Sequence, residues 1–198
     1  MGGGIKILEG NSVSLDGFRN AIGNIRGDIV VQQKAEQCPE LNAIYRHSVN
    51  TMRIMSIIDK TGEVIILSRS LRMGTGGGRL DNAHSGGIFI GLDENGRLKE
   101  YALTLNGTKY YKHPDTGIIF KNVVLPSVSL VDEAVKKCAI RVPAFRIVAW
   151  DIIVDSKYEP TMIEANFFCA GLDVPQLNNG PLFGDRTKEF LDEVYGQQ

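Results

Sequence analysis

The stretch Phe145-Arg146-Ile147-Val148-Ala149-Trp150-Asp151-Ile152-Ile153-Val154, Asp155-Ser156-Lys157-Tyr158-Glu159-Pro160, Thr161-Met162-Ile163-Glu164-Ala165-Asn166 decides how the rest of the chain is read. Its two flanks are apolar and β-branched, and its middle is turn-forming. The pattern predicts a β-hairpin with strands at 145–154 and 161–166 around a turn at 155–160. Glu164 and Asn166 lie two residues apart, so they share one face of their strand, and Asp151 on the neighbouring strand can converge with them. Three oxygen donors on adjacent rungs suit Mg²⁺, which takes carboxylate and water oxygens and commonly shares substrate phosphates. A solvated hairpin edge uses the same residue types. The apolar flanks Ile152, Ile153, Met162 and Ile163 favour a more buried setting for the polar trio.

Upstream of the hairpin, Leu130, Val131, Ala134, Val135 and Cys138 recur at helical spacing after Pro126-Ser127. Glu133 and Lys137 add an i,i+4 pair, and Pro143 ends the helix. Thr51 to Ile58 and Val64 to Leu67 read as paired strands around Lys60-Thr61-Gly62-Glu63. Ile88 to Leu92 and Leu98 to Leu105 read as two more, around Asp93-Glu94-Asn95-Gly96. Ile5 to Leu8 and Asp28 to Val31 are further strand candidates. Ser14 suits the cap of a short helix through Phe18 and Ile22. Residues 34–47 are polar and irregular, with part of the stretch helical. A last helix is expected near Thr187 to Tyr195, with Phe190, Leu191 and Val194 on its apolar side. Many paired strands and few helices predict an α+β fold with an antiparallel sheet and flanking helices.

Composition narrows the function classes. The 198 residues carry 22 Lys plus Arg against 23 Asp plus Glu, a net charge of -1, which gives no general attraction to nucleic acid or anionic membranes. Hydrophobic residues make up 43%, the level of a folded domain. Cys38, Cys138 and Cys169 are far apart and propose neither a disulfide framework nor a zinc site. No apolar run reaches the roughly 20 residues of a membrane span. A cytoplasmic protein without a transmembrane segment is expected.

Glycine clusters at Gly74, Gly76 to Gly78 and Gly86-Gly87 mark tightly turned backbone, and Arg69, Arg72 and Arg79 flank them. The stretch Lys109 to Gly117, with Tyr110, Tyr111, His113 and Asp115, has the composition of a surface or substrate loop.

Five strings carry a family resemblance. They are Ser48-Val49-Asn50-Thr51-Met52-Arg53, Asp81-Asn82-Ala83-His84-Ser85-Gly86-Gly87, His113-Pro114-Asp115-Thr116-Gly117, Trp150-Asp151 and Glu164-Ala165-Asn166. The chain resembles the ATP-grasp superfamily, and more narrowly its sugar-transfer-associated members found in polysaccharide clusters. The resemblance implies ATP and Mg²⁺ as cofactors, with Asp151, Glu164 and Asn166 as metal ligands. It implies Val31, Gln32 and Gln33 at the adenine hinge, with Gln33 standing where an acidic residue is more usual. Glu36 or Glu40 would take the ribose hydroxyls. Arg53 would reach the phosphates or an acceptor carboxylate, Arg72 and Arg69 would face the phosphates, and Asn82 and His84 would line the same cleft. His84 is the best candidate for a general base.

The implied organisation is a partial N-terminal ATP-grasp subdomain with the hinge at 1–47 and a C-terminal subdomain with the metal site at 48–198. The matched part corresponds to the C-terminal portion of an ATP-grasp enzyme, with the upstream portion absent. The implied activity is ATP- and Mg²⁺-dependent carboxylate–amine or carboxylate–thiol ligation through an acyl phosphate, linked to polysaccharide biosynthesis. Its partners would be a small-molecule carboxylate and an amine or sugar-linked substrate. A homo-oligomer or an upstream partner domain would complete it. The alternative is a truncated, non-catalytic nucleotide-binding or assembly module.

Overall fold

The computed structural model describes residues 8, 10, 14–23, 25–81, 86–168 and 170–196. Residues 1–34 and 35–198 form separate compact units. In the first, helix α1 (Leu15–Ile22) starts where Ser14 predicts it: the Gly17 amide donates to Ser14 Oγ at 3.0 Å. The strand expected at 28–31 does not form. No strand pairs with this run among the described residues, and Val30 and Val31 stay exposed. The strand expected at Ile5 to Leu8 lies outside the described residues.

The second unit is built on one antiparallel sheet of seven strands, in the order β5-β4-β3-β2-β1-β6-β7. The strands are β1 (Met52–Ile58), β2 (Val64–Met73), β3 (Ile88–Gly91), β4 (Ala102–Leu103), β5 (Lys109–Tyr110), β6 (Ile147–Val154) and β7 (Pro160–Asn166). Helix α2 (Pro39–Ile44) precedes β1, α3 (Val128–Ala139) lies between β5 and β6, and α4 (Asp173–Asn179) and α5 (Thr187–Tyr195) follow β7.

One sheet face is apolar. Met52, Ile54, Leu71, Met73, Val148, Trp150 and Ile152 pack there with Val128, Val131, Val135 and Ala139 of α3. The buried stripe of α3 is thus shifted from the expected one, and Leu130 is exposed. The Trp150 indole N–H, buried on this face, donates to Ser56 Oγ at 2.8 Å.

The opposite face is mixed. Its apolar parts are covered by the C-terminal segment: Leu182 packs on Met55 and Ala149, and Val174 of α4 packs on Phe89. Asn179 Nδ2 donates to Ser68 Oγ at 2.7 Å and to the Arg69 carbonyl at 3.0 Å. Gly91 permits that approach, because a Cβ there would run into the Asn179 side-chain oxygen.

Two bulges set which side chains share a face. Between β1 and β2, Met55 pairs with Ser68 but Ser56 with Ile66, leaving Leu67 as the extra residue. Between β6 and β7, Asp151 pairs with Glu164 but Ile152 with Met162, leaving Ile163 extra. Four further expectations change. Strand β2 continues to Met73 rather than stopping at Leu67. The strand expected at 98–105 shrinks to β4, because the Leu98 amide turns to the Val123 carbonyl at 3.1 Å. Helix α4 forms in a stretch read as loop, with Pro175 in its first turn, where a missing N–H costs no helical bond. In α5 only Phe190 of the expected apolar side is buried.

Candidate functional site

Strands β2, β1, β6 and β7 are neighbours, so they place four polar side chains in a row on the mixed face. Arg53 of β1 pairs in register with Asp151 of β6, and Asp151 in turn with Glu164 of β7. Arg72 lies on β2, where its amide donates to the Thr51 carbonyl at 2.8 Å.

The side chains form an alternating chain of charge. Arg53 Nε and Nη2 donate to Asp151 Oδ1 and Oδ2, both at 2.7 Å. Arg72 Nη1 donates to Asp151 Oδ2 at 3.1 Å and Arg72 Nη2 to Asp81 Oδ1 at 3.0 Å. The second oxygen of Asp81 accepts the Thr51 amide at 3.1 Å. The Asp151 side chain is 5% exposed, against 19% for Arg53 and 14% for Arg72. Burial alone would pull the Arg53 pKa down; its hydrogen bonds to Asp151 and the charges of Asp151, Glu164 and Asp81 hold it above the ordinary value. Arg72 Nε is buried with no partner among the described residues.

Glu164 is exposed beside this pair. Asn166 aligns with Ala149, and its Nδ2 lies 3.5 Å from the Ala149 carbonyl. The donor types suit a magnesium ion in kind: two carboxylates on facing rungs and an amide side chain two residues on. Among the described residues no three His, Cys, Asp or Glu side chains cluster as a metal site. As folded, Asp151 serves two guanidiniums.

Local structure explains how the strand ends are held. Asn50, in the string preceding β1, donates through Nδ2 to the carbonyls of Leu41 (2.8 Å) and Tyr45 (2.7 Å), and its amide donates to Gln37 Oε1 at 2.8 Å. Gln37 Nε2 returns to the carbonyls of Tyr45 and Ser48, at 3.0 and 3.1 Å. This network ties α2 to the start of β1 and so fixes Thr51 and Arg53. The string at 113–117 braces the glycine loop between Arg72 and Asp81. The Asp115 amide donates to His113 Nδ1 at 3.3 Å, which leaves Nε2–H to donate to the Gly74 carbonyl at 3.0 Å. The Gly76 amide donates to Asp115 Oδ2 at 2.7 Å, and Tyr45, stacked on His113, donates its hydroxyl to the Gly78 carbonyl at 2.9 Å. Burial pushes the His113 pKa down.

The structure brings Arg53, Arg72, Asp151 and Glu164 together, and adds Asp81, which sequence reasoning quoted in a string without giving it a role. Its position directly after the glycine cluster was the available signal. Arg69 does not join them. It points to the α3 face and forms an ion pair with Asp132, Nη2 to Oδ2 at 2.6 Å. Glu40 Oε1 accepts the Tyr158 hydroxyl at 3.3 Å, and the Glu36 carbonyl accepts the Ser156 amide at 3.0 Å. Val31, Gln32 and Gln33 are exposed in the first unit. Asn82 and His84 lie outside the described residues.

An α+β domain with a seven-stranded antiparallel sheet, carrying paired arginines and carboxylates on one face, is the class that fold and site define. Residues 9–191 match the family model described as sugar-transfer associated ATP-grasp, and the chain belongs to that family. No curated protein and no solved structure matches the chain. Among the described residues no helix is long and apolar enough to cross a membrane.

Proposed function

We propose that this domain binds ATP with magnesium and activates a small-molecule carboxylate for attack by an amine or thiol. The observation that carries the reading is the register of Arg53, Asp151 and Glu164 across three neighbouring strands, in a chain of ATP-grasp membership. Asp151, Glu164 and Asn166 would hold magnesium, which supplies charge neutralisation for the nucleotide phosphates. Arg53 and Arg72 present fixed positive charge on the same face, where negative charge develops during phosphoryl transfer. The γ-phosphoryl group passes to a carboxylate oxygen and ADP leaves. The nucleophile then attacks the acyl carbon and displaces phosphate. A sugar-linked substrate agrees with the sugar-transfer association in the family description.

The remaining parts of the reading follow the same family logic. Val31, Gln32 and Gln33 would meet adenine, with Glu36 or Glu40 at ribose. Asn82 and His84 would line the cleft. Arg69 would act through the position of α3 rather than on the phosphates, since Asp132 holds it on the far face. The test is calorimetric titration of MgATP into the protein and into Glu164→Gln. Binding by the parent with a clear loss in the variant supports the reading, and equal affinity removes Glu164 from the site. Acceptor-dependent phosphate release with candidate carboxylates and amines then tests the chemistry.

A further inference from the structure

An ionised carboxylate offers about four lone-pair positions. Three on Asp151 are already used, one on Oδ1 by Arg53 and two on Oδ2 by Arg53 and Arg72. A divalent cation draws on the same lone pairs. The two arginines are not equivalent in this respect. Arg72 keeps Asp81 as a second partner, whereas among the described residues the Arg53 guanidinium hydrogen-bonds to Asp151 alone. Arg53 is also the partner aligned directly with Asp151 in the sheet, and the charges of Glu164 and Asp81 act on it as well.

We infer that Arg53 is a built-in competitor for the cation at Asp151, so that cation entry and release of the Arg53 guanidinium are one coupled event. This rests on the reading of Asp151 as a metal ligand. The guanidinium displaced from Asp151 then needs an anion, and a phosphate or carboxylate brought with the cation supplies it. The cation alone must break a bidentate ion pair and binds weakly. The cation with a phosphate ligand recovers that cost, which makes the two ligands cooperative.

The experiment uses Mn²⁺ as the probe, without nucleotide, titrated into the full chain and followed by the loss of the free-ion resonance signal. Arg53→Met should bind Mn²⁺ about tenfold more tightly than the parent. Arg53→Lys keeps a cation beside Asp151 but lacks the planar fork, and should bind severalfold more tightly. It carries the test if Arg53→Met does not fold. ADP should raise Mn²⁺ affinity in the parent by a larger factor than in either variant. Mn²⁺ affinity in both variants equal to or below that of the parent, or no binding by any of them, overturns the inference. Adding Asp151→Asn to the Arg53 variant separates the two readings. A gain that survives it places the cation elsewhere and sinks the ligand assignment itself. MgATP binding that depends on Asp151, without any gain in the Arg53 variants, sinks only the competition.

Discussion

Arg53 and Asp151 stand opposite each other on β1 and β6 and lock through two hydrogen bonds of 2.7 Å, although 98 residues separate them in sequence. Removing one member of such a pair leaves a largely buried charge without compensation, and that loss exceeds the net value of the pair itself. Asp151→Ala should therefore lower stability by about 3 kcal/mol, read by denaturant unfolding. A cost within about 0.5 kcal/mol, the scale of an ordinary surface change, would mean that solvent already screens the pair.

Arg69 and Arg72 are three residues apart on one strand yet serve opposite faces. Asp132→Asn should reduce stability by about 1–2 kcal/mol by weakening the clamp between α3 and β2, while leaving MgATP affinity unchanged. Parallel unfolding and calorimetric measurements check both halves. A marked fall in nucleotide affinity in this variant would bring Arg69 back toward the phosphates.

The turn between β1 and β2 is built on Asp59. Its Oδ1 accepts the Thr61 hydroxyl at 2.6 Å and the amides of Thr61 and Glu63 at 2.8 and 3.1 Å, and Oδ2 accepts Arg186 at 3.2 Å. The Thr61 hydroxyl is the largest cause, joined by those amides and Arg186, that holds this carboxyl well below its ordinary 3.8. A depressed carboxyl pKa contributes stability that is complete above the unfolded value and is lost as pH falls toward the folded one. Stability of the parent should decline below about pH 4, and Asp59→Asn should flatten that decline. Urea unfolding at several pH values between about 2 and 6 is the check. Parallel curves for the two proteins would take Asp59 out of the acid response.

His113 behaves in the same sense at higher pH. Burial depresses its pKa below 6.5, so the folded state takes up its proton later than the unfolded chain does. The stability it contributes is complete above 6.5 and is lost as pH falls from there through the folded value. Protonation at Nδ1 also removes the acceptor used by the Asp115 amide. Amide exchange at Gly76, corrected for the intrinsic pH dependence of exchange, should lose protection as the pH is lowered from 7 toward 5. Protection that stays constant would separate the loop from the histidine.

The hairpin at 147–166 was legible because both strands are β-branched and the turn between them is polar, so local propensity and tertiary structure agree. The facing of Glu164 and Asn166 followed from strand periodicity alone. The course of β2 was not legible. Val64 to Leu67 is uniformly apolar, and the bulge at Leu67 then shifts the alternation, so Arg69 and Arg72 could not be assigned to faces without the partner strand. The pairing of Arg53 with Asp151 depends on β1 lying between β2 and β6, a long-range order that no local pattern encodes. Helix α4 was hidden by Pro175 and its glycine-rich flanks. Asp28 to Val31 has strand composition, but no described strand offers it the hydrogen bonds and cover that strand formation requires.

Asp81 holds Arg72 from the side opposite Asp151 and is itself held by the Thr51 amide. It thus aims a guanidinium without touching Asp151. Asp81→Asn keeps the shape but removes the charge, and its single acceptor oxygen can serve only one of the two donors well. The amide group then sets a donor against the other, either Arg72 or Thr51. Stability should fall by about 1–2 kcal/mol, similar to the cost of Asp132→Asn. What distinguishes the two is MgATP affinity, expected to fall severalfold for Asp81→Asn alone, because Arg72 loses one of the two anchors that fix its direction. Calorimetry on both variants at matched temperature provides the comparison. Equal nucleotide affinity in the two proteins would show that the orientation of Arg72 is set by Asp151 and the strand, with Asp81 serving only the fold.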